Sequence, residues 1–223
     1  MTYAFEIEFA SRRNHVKRYL AVVSKLERQT RGASWRLFED RLNILRAGSF
    51  LILYNLIESA TRSAIEAIHD QIRVTGVPFR ELRRTIRREV IKGFKKRGNP
   101  DIHQDMLDVP LELVTAALDV EDHFSGNIDS RRIRDMADIY GFSTDSDTSL
   151  THGGAELLTV KNIRNDLAHG LKTYEEIGRD YPIKRLLEIS IRTGAYTAAI
   201  LSNITQYLDA QEFRDVPPTI VAA

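Results

Sequence analysis

Apolar residues recur every three or four positions along most of this chain, and glycines and prolines divide the pattern into segments. From about Phe9 to Gln29, Val16, Tyr19, Leu20, Val23 and Leu26 form one stripe with arginines and lysines opposite, which predicts an amphipathic first helix. The preceding AFEIEF alternates with period two, so a short strand or an extended arm stays open there. Residues 49–72, SFLILYNLIESATRSAIEAIHDQI, follow Gly48, offer Ser49 as a cap and are apolar around most of the circumference in their first half. A helix of that kind belongs at the centre of a bundle. TGVP ends it at 75–78, and Pro78 is placed to open the next helix, FRELRRTIRREVIKGFKKRG, which stops at Gly98.

Further along, Asp129 as N-cap and Gly141 as stop bracket a short helix, and 143–154 read as a polar loop. A helix from about Gly154 to His169 comes next, then a helical turn in TYEEIGR. Pro182 leads a long final helix with Ile183, Leu186, Leu187, Ala195, Ala199, Ile200 and Leu208 available for burial. No repeat, low-complexity tract or linker interrupts this order. The expectation is an all-α fold: one domain over 1–223, a helical bundle with a charged helical insertion at about 76–125 and a tail from about 212 that contains Pro217 and Pro218.

The 223 residues, 43% of them hydrophobic, suffice for one sizeable core or at most two small ones. A net charge of +1 neither favours nor excludes a polyanionic partner, so any steering must come from local clusters. One exists. Nine of the eighteen residues from Arg80 to Arg97 are Lys or Arg, whereas Gly98 to Ser130 contain eight carboxylates and no Lys or Arg. The two segments either neutralise each other or are solvated faces, the commoner case for charge runs, or the basic helix is a phosphate-binding rail.

Cysteine is absent, which excludes disulfides and thiolate metal sites and fits a reducing compartment. The start lacks a basic n-region followed by an apolar h-region, and runs such as FLILY are far shorter than the roughly 20 residues that span a bilayer, so a cytoplasmic protein without a membrane partner is expected. His15, His69, His103, His123 and His152 have no spacing that suggests a metal site, and no phosphate loop, nucleophile elbow or carboxylate-rich metal motif occurs. Neither metal nor cofactor is expected.

Chemistry concentrates in KNIRNDLAHG, residues 161–170. With Val160 as reference and 100° per residue, Ile163, Leu167 and Glu156 fall within about 60° of one direction, the core-facing stripe. Arg164 lies about 40° off that stripe, while Asn165 and His169 lie about 140° and 180° round, four residues apart and therefore neighbours on one surface. Each residue has an ordinary explanation: Arg and His suit a helix C-terminus, Asn is tolerated on a surface, and Gly170 ends helices. Together they also make a phosphodiester site, with a guanidinium to hold phosphate, an amide to orient it and an imidazole to move a proton.

RNDLAHG resembles the Arg-x4–6-His motif of the HEPN superfamily, in which a polar residue, often asparagine, follows the arginine. LYNLIES, residues 53–59, is similar to the second-helix signature of the MAE-type HEPN branch, and the order of helices is similar over most of the chain. The resemblance implies a HEPN-like helical bundle, dimerisation that brings two motif helices together, and metal-independent endoribonuclease activity, often in toxin–antitoxin or phage-defence loci. It places Arg164, Asn165 and His169 on the catalytic motif. The basic insertion lies outside the minimal family core.

On that reading the partners are RNA, a second copy of the chain, and a cognate antitoxin or neighbouring-gene protein. The alternative is a non-catalytic HEPN protein that binds RNA or a partner protein through the same cleft. Glu58 shares a largely apolar stripe with Tyr54, Thr61 and Ile65, and a carboxylate there either pairs with Arg164 or snorkels to a bundle edge. Arg83, Arg84, Arg87 and Arg88 are the residues of the basic helix assigned to RNA binding without sequence choice.

Overall fold

The computed structural model describes residues 2–29, 35–96, 109–118, 124 and 126–215. Every regular element among them is helical, so the fold is all-α. Helix α1 spans Ala4–Gln29 and begins before the expected Phe9. Phe5 and Phe9, one turn apart, are buried, whereas Ile7 between them is 62% exposed. The apparent alternation in AFEIEF is therefore the edge of a helical stripe.

Helix α2, Trp35–Thr75, has 41 residues and runs about 60 Å, through the middle of the bundle. Gly48 and Ser49 lie inside it, not at its start. A Cβ at Gly48 would stand 2.8 Å from the Tyr19 hydroxyl of α1, which donates a hydrogen bond to the Leu45 carbonyl at 2.7 Å. The glycine thus marks a close helix–helix approach rather than a cap. Phe50, Leu53, Tyr54 and Ile57 are fully buried, as the apolar circumference required.

The expected helix from Phe79 to Gly98 is broken. A 3-10 turn covers Phe79–Glu81, and α3 starts only at Arg84, ending at Lys96. Between them Leu82 forms an isolated antiparallel bridge with Arg214. The Arg83 amide donates to the Phe213 carbonyl at 2.9 Å, and the Asp215 amide donates to the Glu81 carbonyl at 2.8 Å. Pairing with the C-terminal segment takes backbone groups that a continuous helix would have used. For the same reason residues 213–215 are docked rather than part of a loose tail, and Phe213 is fully buried.

Helix α4 is Leu111–Ala117 and α5 is Ser130–Tyr140, the latter bracketed by Asp129 and Gly141 as expected. The 143–154 loop contains a short α6, Thr148–Thr151, and a 3-10 turn, His152–Gly154. Then come α7, Ala155–Ala168, α8, Tyr174–Asp180, and α9, Ile183–Asp209. A capping box of Thr173 and Glu176 starts α8. Helix α2 packs against α1, α7, α8 and α9, while α3 packs against α4 and α5. Ile86 and Val90 of α3 are fully buried in the same apolar cluster as α2 and α9. Most of the acidic segment 98–130 lies outside the described residues.

Candidate functional site

Helix α7 buries Leu157, Val160, Ile163 and Leu167, and with them Glu156, which is only 5% exposed. A carboxylate in that position needs compensation, and it has two partners: Arg185 at 2.9 Å and Arg192 at 3.0 Å, both from α9. The pair of guanidiniums fixes the first turn of α7 against α9. At the other end His169 is the C-cap, its amide donating to the Asn165 carbonyl at 2.9 Å. Gly170 follows at φ +65, and the amides of Gly170 and Leu171 donate to the Leu167 and Asp166 carbonyls. This is a Schellman ending, and it turns the chain away so that the His169 side chain is left exposed.

Between these fixed ends Arg164 crosses the edge of the core. Its guanidinium carbon lies 4.7 Å from the ring centroid of Tyr54, and its Nη1 donates to Asn165 Oδ1 at 3.0 Å. Among the described residues it forms no ion pair. The Tyr54 hydroxyl accepts from the Ile128 amide at 3.2 Å and donates to Glu58 Oε1 at 3.3 Å. Burial pushes the Tyr54 phenol above its ordinary value, opposed by the Ile128 amide and by the Arg164 charge and reinforced by Glu58. Tyr54 therefore stands between Glu58 and Arg164. The direct ion pair that was one of the two alternatives for Glu58 does not form, because the phenol takes the carboxylate's hydrogen bond and the ring takes the cation.

Four consecutive residues ahead of α5 close over this arrangement. A Cβ at Gly126 would lie 3.4 Å from Arg164 Nη1, Asn127 Oδ1 accepts from Asn165 Nδ2 at 3.2 Å, Ile128 reaches Tyr54, and Asp129 pairs with Lys161. Asp129 also accepts from the Arg132 amide at 2.9 Å as the cap of α5. Burial works to raise its carboxyl, but the Lys161 and Arg132 hydrogen bonds outweigh that and hold it below the usual 3.8.

Of the arginines assigned to RNA, Arg83 is spent on the Gly141 and Glu212 carbonyls at 3.2 and 3.1 Å. Arg87 pairs with Asp215 at 2.9 Å. Only Arg84 and Arg88 are exposed and without an ion pair among the described residues. His69 meets the Tyr140 hydroxyl at 2.7 Å. Among the described residues no group of three or more His, Asp or Glu could hold a metal ion.

Asn127, the Lys161–Asp129 pair and the two arginine partners of Glu156 are absent from the sequence-based site. Of these, Glu156 alone carried a signal, a carboxylate on the core stripe. No curated protein and no solved structure matches the chain. The family model of MAE_28990-like HEPN proteins matches residues 1–213, through the charged stretch at 76–125 and up to the docked C-terminal segment. Since that match covers residues 1–213 of the 223, the chain belongs to the MAE_28990-like HEPN family.

Proposed function

We propose that this protein is an endoribonuclease that needs no metal, cleaves RNA through attack by the substrate's own 2′-hydroxyl, and acts as a two-fold dimer. In the cell it is the toxin of a toxin–antitoxin or phage-defence pair, restrained by a protein encoded beside it. One observation carries the reading: Arg164 is a guanidinium held in place by neutral groups alone, a ring and an amide, on the helix whose C-cap is the exposed His169. Arg46, Arg87, Arg185, Arg192 and Arg214 each have a carboxylate partner. A cation that is positioned but not neutralised is suited to an arriving phosphate, since little of its side-chain freedom remains to be lost.

In the reaction the 2′-oxygen forms a bond to phosphorus as its proton passes to one imidazole. The bond from phosphorus to the 5′-oxygen breaks, and a second protonated imidazole supplies the proton to that leaving oxygen. The products are a 2′,3′-cyclic phosphate and a 5′-hydroxyl. Arg164 holds the phosphate oxygens as charge develops on them. Two imidazoles require two copies. The outer stripe of α7 runs Leu158, Asn162, Asn165, His169, and Leu158 is 47% exposed, with Leu171 beyond the helix end 72% exposed, so an apolar flank lies beside the motif.

The test is cleavage of structured RNA in excess chelator, with light scattering on the same sample. A dimer that cuts RNA, leaves those ends, and loses about 10²–10⁴ in rate in His169→Ala while still binding RNA is expected. Cuts that persist on a 2′-O-methyl substrate, or full activity from a monomer, overturn the mechanism. Binding without cleavage by the wild type would make the protein a non-catalytic RNA-binding member of the family.

A further inference from the structure

We propose that residues 126–129 are a positioning strap for the motif, in which Asn127 fixes the amide of Asn165 and through it aims the Arg164 guanidinium. The proposal rests on the reading of Arg164 as the phosphate-holding group. Its basis is the direction of the hydrogen bonds. Arg164 Nη1 donates to Asn165 Oδ1, and Asn165 Nδ2 donates to Asn127 Oδ1, so the Asn165 amide has its oxygen toward the motif arginine and its nitrogen toward the strap. Without Asn127 nothing in this series of hydrogen bonds prevents the Asn165 amide from turning over and presenting N–H groups to the guanidinium, which would repel it.

The other three residues give the strap its place. Gly126, at φ +77, lies against the guanidinium, the position of its absent Cβ being in ordinary contact with the two terminal nitrogens at 3.4 and 3.6 Å, and its left-handed backbone disfavours any side chain. Ile128 is anchored by its amide to the Tyr54 hydroxyl, so the ring beneath Arg164 and the strap beside it are tied together. Asp129 is held both by Lys161 of α7 and by the start of α5. The strap is thus fixed to the motif helix one turn before Arg164 and to the Tyr54 platform. Asn165 and Asn127 are positioning residues: neither needs to touch the scissile phosphate, since the guanidinium does so.

The experiment compares the full-length wild type with Asn127→Ala and Asn127→Asp. One readout is rotation about the Arg164 Cζ–Nε bond in nitrogen-15 spectra, with the signal assigned by its loss in Arg164→Lys. The other is kcat and KM on a single-stranded fluorogenic RNA. Asn127→Ala should speed that rotation and lower kcat on the order of tenfold or more with a smaller change in KM, because misplacement of a reacting group by about 1 Å costs up to 10²-fold. Asn127→Asp retains an acceptor for Asn165 Nδ2 and should restore slow rotation. Gly126→Ala, built where Asn127 is intact, strains the strap at φ +77 and should also disturb Arg164. Slow rotation retained in Asn127→Ala overturns the strap, whatever the rates. A wild type that cuts no RNA defeats the endonuclease reading, and the rotation measurement then decides the strap by itself.

Discussion

Arg164 of α7 lies 4.7 Å over the ring of Tyr54 of α2, and the hydroxyl of that same ring joins Glu58 to the Ile128 amide. One phenol thus serves as platform for the motif cation and as clasp for the segment that covers it.

Two substitutions at this position separate the roles. Tyr54→Phe keeps the ring but leaves the fully buried Ile128 amide without its acceptor, a loss of about 1–3 kcal/mol in urea denaturation. Tyr54→Leu also removes the cation–π contact, worth about 0.5–2 kcal/mol, and should lower RNA cleavage further. Equal stability and activity in the two variants would show that the ring contact contributes nothing.

Glu58 should matter less than a buried ion-pair partner would. Its carboxylate receives one hydrogen bond, so Glu58→Ala should cost about 0.5–1.5 kcal/mol, and Glu58→Gln, which keeps an acceptor, less. A loss of about 3–5 kcal/mol in Glu58→Ala would instead be the mark of a direct pair with Arg164.

Acid should loosen the junction of α5 and α7. The Asp129 carboxyl is depressed below its ordinary value in the folded protein, so the stability it contributes is complete above about pH 4, the unfolded value, and is lost as pH falls through the lower folded value. Asp129→Asn should be less stable than wild type at pH 6 and show a flatter decline below pH 4. Parallel stability curves across that range would refute the contribution of the Asp129–Lys161 pair.

Deleting the Glu156 carboxylate should cost stability. Glu156→Ala leaves Arg185 and Arg192 facing a buried gap. Because both arginines are partly exposed, the expected loss is about 2–4 kcal/mol, below the full value for an enclosed pair. Chemical denaturation checks it, and a loss under about 0.5 kcal/mol, typical of an exposed pair, would count against the clamp.

The basic helix divides into structural and free charges. Replacing Arg84 and Arg88 together should reduce the salt slope of single-strand RNA binding by roughly 0.7 for each phosphate that is no longer neutralised, with stability unchanged. Arg83→Ala should lower stability instead, since its side chain ties Gly141 to Glu212. An unchanged slope in the double variant would remove α3 from the RNA surface.

Local pattern determined much of this protein. The apolar stripe of α7, the Asp129 and Gly141 ends of α5, the Pro182 start of α9 and the centrality of α2 all follow from spacing and from residues whose backbone preferences act within a turn. The placement of Arg164 and Asn165 on α7 and of His169 at its C-terminal end was legible for the same reason, since helical geometry alone sets it. Tertiary structure decided what long-range contacts decide. Gly48 reads as a boundary until Tyr19 of another helix is seen to need its space, and the break at Leu82 exists because Arg214, 132 residues later, pairs with it. Whether Glu58 met Arg164 depended on a third side chain between them, and Asn127 carries no periodic signal because its partner, Asn165, lies 38 residues away across a loop. Helical spacing constrains a residue's direction from its own axis; which groups meet there is set by how the axes pack.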